Sequence, residues 1–202
     1  MQQQEAANDT GNTGRAVDFV DSADSADVVV VGAGPAGATA ATHLARAGRS
    51  VLLVDKATFP RDKCCGDGLT TLALRELDDL GLDPACVPNW RSVDAAWLLS
   101  PSGREVCVPL PEQQGIYAAT TPRRELDAAL VELARQAGAT VREGHALRSI
   151  TPAGDHVVVE FDGLEPVHTR YVVAAYGMWS PTRKPLGHAE PGYLGEWHAF
   201  RQ

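Results

Sequence analysis

The chain has 202 residues, 44% of them hydrophobic and 22% charged, and a formal net charge of −8. That length can bury a real core in one or two domains, and the composition is that of an ordinary globular protein. The acidic balance excludes a basic nucleic-acid-binding stripe, and no apolar stretch approaches the ~18 residues that a membrane-spanning helix needs.

Residues 1–25 are rich in Gln, Asn, Asp, Ser and Gly, with no basic or apolar signal segment, and read as a disordered leader. The folded part starts near Asp27. Val28–Val31 is a β-branched run that predicts a buried strand, and it leads straight into Gly32-Ala33-Gly34-Pro35-Ala36-Gly37. A helix follows over 35–47, stopped by Gly48, and a second strand over 51–54 ends on Asp55. This is G-x-G-x-x-G in a strand–turn–helix–strand setting, with the acid close to the ~20-residue separation typical of a dinucleotide site.

Each glycine has its own task. Gly32 permits the sharp turn, Gly34 lets a pyrophosphate approach the backbone, and Gly37 lets the helix pack near the strand. The helix amino end offers free N–H groups and partial positive charge to that pyrophosphate, and Pro35 fits its first turn. The Asp55 carboxylate can accept from ribose hydroxyls and would repel a 2′-phosphate, which favours FAD or NAD over NADP. The candidate cofactor contacts here are Gly32, Ala33, Gly34, Pro35, Ala36, Gly37, Asp55 and the adjacent Lys56.

Residues 56–68 read as a loop with Pro60, Gly66 and Gly68. A helix from Thr70 to Leu80 would present Leu72, Leu74, Leu77 and Leu80 as an apolar face, and Gly81 ends it. Residues 93–99 and 105–108 flank Pro101-Ser102-Gly103 and predict a hairpin outside the parallel core. Thr121-Pro122 opens a helix through Leu126, Ala129, Leu130, Leu133 and Ala134 to Gly138. Strands follow over 139–142, 145–150, 156–161 and 167–174, with Asp162-Gly163 as a turn. Tyr171–Ala175 is apolar on both faces and so returns to the parallel sheet. Tyr193, Trp197 and Phe200 stand at strand-like intervals in the tail. Cys64, Cys65, Cys86 and Cys107 lack metal-site spacing and read as thiols of a reduced, cytoplasmic protein. None of His145, His156, His168, His188 and His198 is singled out by spacing as a general acid.

The loop Phe59-Pro60-Arg61-Asp62-Lys63-Cys64-Cys65-Gly66-Asp67-Gly68 adds a second signature. With Arg123-Arg124-Glu125-Leu126-Asp127, Tyr176-Gly177-Met178-Trp179-Ser180-Pro181 and the closing residues 195–202, it resembles flavoproteins of the geranylgeranyl reductase family. That family sits within the p-hydroxybenzoate hydroxylase-like superfamily, and the resemblance covers nearly everything from residue 27 onward. It implies an α/β fold: a Rossmann-like FAD-binding domain with an inserted antiparallel β segment, in an incomplete two-domain flavoprotein. The plan would be a leader over 1–25, the FAD-binding domain over 26–91 and 121–187, a β-rich substrate layer beginning over 92–120, and a substrate domain starting at 188–202.

By the same resemblance the cofactor is FAD, with NADPH or another reductant as electron donor. The substrate would be a lipidic prenyl chain whose double bonds are reduced, which brings the protein near a membrane surface. Gly32, Gly34 and Gly37 would hold the pyrophosphate, Asp55 the adenosine ribose, and backbone near Ala146 the adenine. Arg123 matches the family's R-x-x-L arginine along the diphosphate and ribityl region, and its neighbour Arg124 reads as a solvated charge. Cys65, Gly66, Asp67 and Gly68 would approach the flavin ring or its linker, while Cys64 packs. Gly177 belongs to the segment after the returning strand, where Tyr176 replaces the family's usual acid. The later Gly-Asp fingerprint is absent, so the chain reads as the amino-terminal portion of a longer flavoprotein. A flavin monooxygenase or halogenase of the same superfamily, or a non-catalytic FAD-binding fragment, are the competing readings.

Overall fold

A computed structural model describes residues 25–65, 67–111 and 117–177. The leader over 1–24, Gly66, and the tail with Tyr193, Trp197 and Phe200 lie outside the described residues. In chain order the elements are β1 (Ser25–Val31), α1 (Pro35–Arg46), β2 (Val51–Asp55), β3 (Gly68–Leu69) and α2 (Thr71–Asp79). After a 3-10 turn at Pro84–Cys86 come β4 (Arg91–Val93), β5 (Ala95–Leu99), β6 (Glu105–Pro109) and β7 (Ala118–Thr120). The remainder is α3 (Arg123–Gln136), β8 (Thr140–Glu143), β9 (Leu147–Ala153), β10 (His156–Phe161) and β11 (Val167–Ala174).

The main sheet has six strands in the order β8-β2-β1-β11-β10-β9. β8, β2, β1 and β11 run parallel, and β10 and β9 complete the sheet antiparallel. The valine run lies at the centre because both its edges are paired and both its faces are covered. Side chains alternate across the pleat, so Val28 and Val30 join Leu53, Leu126 and Leu130 in a core against the helices α1 and α3. Val29 and Val31 point the other way and meet Val54, Val159, Phe161 and Val167. The expected return of residues 167–174 to the parallel sheet holds: Val28 to Val31 register against Tyr171 to Ala174. The fold is the expected Rossmann-like α/β arrangement with an antiparallel insert.

Several local expectations need correction. The loop after Asp55 ends in β3, which joins β7 and β4 in a small antiparallel sheet of order β3-β7-β4. The expected leucine face of α2 is covered only in part: Leu80, just past its end, lies in the main core and Leu77 packs against it, Leu74 is half-buried, and Leu72 is 66% exposed. β9 starts and ends later than expected, because Ala146 accepts from Asp162 N at 2.8 Å and residue 145 is held by Asp55. As an edge strand it accommodates Pro152. The β5–β6 hairpin forms where expected. No helix among the described residues is long and apolar enough to cross a membrane.

Candidate cofactor-binding site

The carboxyl ends of β1, β2, β8 and β11 lie together, which is where open α/β sheets bind ligands. The glycine turn stands at the centre of this edge, and its three glycines are used differently. Gly32 has φ +102°, and a Cβ there would lie 2.5 Å from the Ala175 carbonyl oxygen. A Cβ on Gly37 would lie 1.8 Å from the Gly32 carbonyl oxygen. Those two positions are closed by packing. Gly34 is not: a Cβ there would meet nothing nearer than Arg61 Nη2 at 3.6 Å and Arg123 Nη2 at 4.0 Å. A methyl group would fit above the middle glycine without a clash, in ordinary contact with the two guanidinium groups that face it.

The helix behind the turn suits an anion. Gly34 is the N-cap of α1, no side chain caps it, and no acid stands in its first turn. Its first N–H groups carry the positive end of the helix dipole with no side-chain acceptor to neutralise it. Pro35 occupies the first turn as expected, Ala36 is exposed and Ala33 is buried. The residues present therefore fit a dinucleotide's diphosphate.

Asp55 is 8% exposed at the end of β2. Its Oδ2 accepts from Ala33 N at 2.7 Å and its Oδ1 from Ala57 N at 2.8 Å. The carboxylate thus ties the glycine turn to the end of the second strand. An ionised carboxylate has about four acceptor positions, so these two bonds leave capacity for sugar hydroxyls. Lys56 is exposed beside it. Ala146 is half-buried and adjoins His145, whose N–H donates to the Asp55 carbonyl oxygen at 3.0 Å, so the structure does bring this backbone to the end of β2.

Arg123, at the start of α3, donates from Nε to Asp127 Oδ1 at 2.8 Å and from Nη2 to Asp127 Oδ2 at 2.9 Å. Arg61 donates from Nη1 to the same Oδ2 at 2.9 Å. Asp127 is completely buried, whereas the two arginine side chains keep 18% and 16% exposure. The hydrogen bonds to Asp127 raise the Arg123 pKa above the usual arginine range; burial opposes them, and a hydrogen bond with Cys65 adds to them. The Arg61 guanidinium also lies over the Phe59 ring, 4.9 Å from its centroid. Phe59 N donates to Glu143 Oε2 at 2.9 Å, and Glu143 in turn pairs with Arg135. The loop after β2 is therefore held at Phe59 by β8 and at Arg61 by α3.

The far end of that loop is tied down as well. Asp67, at φ +56°, accepts at Oδ1 from Arg123 N at 3.3 Å and at its carbonyl from Thr121 N at 2.9 Å. Its carboxylate thus supplies the cap that Pro122 cannot give α3. Gly68 pairs with Thr120 across β3 and β7. Cys65 is half-buried beside Arg123, whereas Cys64 is exposed, against the expectation that it packs. The correction follows from the loop lying on the surface at that point. Gly177, at φ +79°, ends the described chain beyond β11, and a Cβ there would lie 3.8 Å from Lys63 Nζ. Tyr176 packs against the second core cluster. Arg124 is exposed, as expected of the solvated member of the pair.

Arg61 and Asp127 are the site residues that sequence reasoning missed. Arg61 sits in a loop with several charges and nothing to rank it. Asp127 carried a usable signal: a lone acid four residues after Arg123, on a helix face otherwise built of Leu126, Leu130 and Ala134.

The chain is similar to several known proteins. The menaquinone reductase of Mycobacterium tuberculosis is 41% identical over 147 residues, 71% of this chain and 35% of that protein. The crystal structure of an aromatic hydroxylase from angucycline biosynthesis matches with a TM-score of 0.63 at 32% identity, over 80% of this chain and 33% of that one. A geranylgeranyl bacteriochlorophyll reductase-like protein of Thermoplasma acidophilum matches with a TM-score of 0.61 at 26% identity, over 74% and 38%. The chain spans about a third of the length of the curated relatives named menaquinone reductase. Residues 25–200, which take in the glycine turn, Asp55 and the arginine pair, match the FAD binding domain family, and the chain belongs to that family.

Proposed function

We propose that these residues form the adenosine-diphosphate end of an FAD site in an oxidoreductase that reduces carbon–carbon double bonds of a prenyl chain. The observation that carries the cofactor reading is the pair of guanidinium groups brought to the side of Gly34 above an uncapped helix amino end. In this reading Gly32 to Gly37 and Arg123 hold the diphosphate. Asp55 takes the ribose hydroxyls, with Lys56 beside it, and the backbone at Ala146 borders the adenine. Cys65, Asp67 and Gly68, with Gly66, approach the flavin side, and Gly177 borders it. Bound flavin supplies the hydride, received from NADPH or another donor. The chain's own residues orient the cofactor and keep its charged end fixed. The segment over 92–120 belongs to the substrate layer, and a lipidic substrate places the protein at a membrane surface on the cytoplasmic side. The relative named menaquinone reductase, at 41% identity, supports a reductase.

The test has two stages. FAD titrated into the chain should bind saturably, and Arg123→Ala should weaken it by about 10-fold or more, as expected for a charge-assisted contact. Anaerobic incubation of the FAD-loaded chain with NADPH and a prenylated quinone, followed by air reoxidation of any quinol, should then leave a quinone heavier by two hydrogens in its prenyl chain. A second reading, hydroxylation, is favoured by the 32% identity to an aromatic hydroxylase. It requires oxygen and gives a product heavier by one oxygen. FAD binding with neither product would make the chain a binding fragment.

A further inference from the structure

We propose that Asp127 is a positioning residue that sets Arg61 and Arg123 as a paired clamp on the diphosphate. The proposal rests on the FAD reading above. Asp127 is completely buried, so it does not touch a ligand at the open edge. Its Oδ2 nonetheless accepts from both arginines, at 2.9 Å each, and its Oδ1 takes the Arg123 Nε at 2.8 Å. Two guanidinium groups repel each other, and a shared carboxylate oxygen is what holds them within hydrogen-bonding distance of one point. The desolvation cost of this carboxylate is offset only if both partners stay in place, which makes the arrangement rigid.

Both guanidinium groups reach the side of Gly34. Arg61 places Nη1 on Asp127 and its Nη2 3.6 Å from where a Gly34 Cβ would sit; Arg123 Nη2, which also donates to Asp127, lies 4.0 Å from that point. Asp127 neutralises only one of the two guanidinium charges, so the trio keeps one positive charge facing the positive end of α1. Arg61 arrives from a loop 66 residues before Asp127, and Phe59 of that loop is itself fastened to Glu143. A flexible surface arginine would need none of this support. An arginine that must meet an anion at a set distance from a helix amino end does.

The sign of one substitution separates positioning from plain charge. Asp127→Asn is nearly isosteric and removes a negative charge beside the anion site. If Asp127 mattered only through its charge, ADP would bind more tightly. If it positions the clamp, ADP binds about 10-fold more weakly or worse, since charge-assisted contacts are lost. The experiment titrates ADP and adenosine by calorimetry against the unaltered chain, Asp127→Asn, Arg61→Ala and the double variant. The expected result is weaker ADP binding with adenosine affinity unchanged, and a double variant less impaired than the two single effects combined. Tighter ADP binding, or equal losses for ADP and adenosine, overturns the proposal. Should Asp127→Asn fail to fold, Arg61→Ala decides: a selective loss of ADP affinity supports the clamp, and no change overturns it. If the unaltered, folded chain binds neither ADP nor FAD, the FAD reading itself falls, and the clamp with it.

Discussion

The β1 strand and the β5–β6 hairpin are built from similar residues and end in opposite states. Val28 to Val31 are at most 5% exposed, whereas Val106 and Val108 are 55% and 41% exposed, and Trp97, Leu98 and Leu99 range from 60% to 70%. Strand propensity alone does not separate them. What differs is the surroundings: β1 has a parallel neighbour on each edge and a core cluster on each face, while β5 and β6 have only each other among the described residues. A pleated segment becomes core only where other elements cover it. The site is built on the covered region, so its geometry inherits the rigidity of that core.

The contrast can be broken most severely at the turn. Gly37→Val puts a side chain onto the Gly32 carbonyl and should cost about 3 kcal/mol or more, read as a lowered denaturation midpoint. A stability close to that of the unaltered chain would show that α1 does not need this close approach. Next in size is the direct comparison of two leucines. Leu53→Ala, in the covered sheet at 0% exposure, should lose about 2–5 kcal/mol, while Leu99→Ala on the hairpin should stay within about 0.5 kcal/mol. Similar losses at both sites would mean the hairpin is covered in solution.

Gly34→Ala sharpens the difference between packing and binding within one turn. With no atom nearer than 3.6 Å and an extended backbone, it should change stability by less than about 1 kcal/mol, yet weaken FAD binding measured by flavin fluorescence. Unchanged FAD affinity would remove the middle glycine from the site. The smallest effect belongs to Asp155 on the exposed β9–β10 turn, whose pKa is lowered by its hydrogen bond to His156. A lowered folded-state pKa stabilises above the ordinary carboxylate range, and the gain fades as pH falls through the folded value. Because the group is fully exposed, the melting-temperature profiles of the unaltered chain and Asp155→Asn between pH 3 and 7 should nearly coincide.

The parallel core was legible in the sequence because its signals reinforce one another. Val28–Val31, the three glycines, Asp55 and the later run at 171–175 each point to the same sheet; that β11 pairs directly with β1, and in which register, shows only in the folded chain. β3, β4 and β7 were not legible, since strands of two or three residues are too short to show alternation. α2 misled because spacing reports which residues could share a face, not whether anything covers that face; Leu72 shows the difference. In the site, Arg123 could be read from its motif. Arg61 could not, because its role depends on a carboxylate 66 residues away that only the folded chain brings to it.

The two neighbours of β1 reach it at very different times. β2 follows after a single helix, whereas Asp27 and its partner Thr169 are 142 residues apart. A chain emerging from the ribosome can close the β1–α1–β2 unit early, but it must carry one open edge of the valine strand until β11 has been made. Long-range parallel pairing of this kind is slow, and an unpaired apolar edge invites association with other chains. Released chains that end before residue 167 should therefore depend on chaperones in a way that chains containing β11 do not.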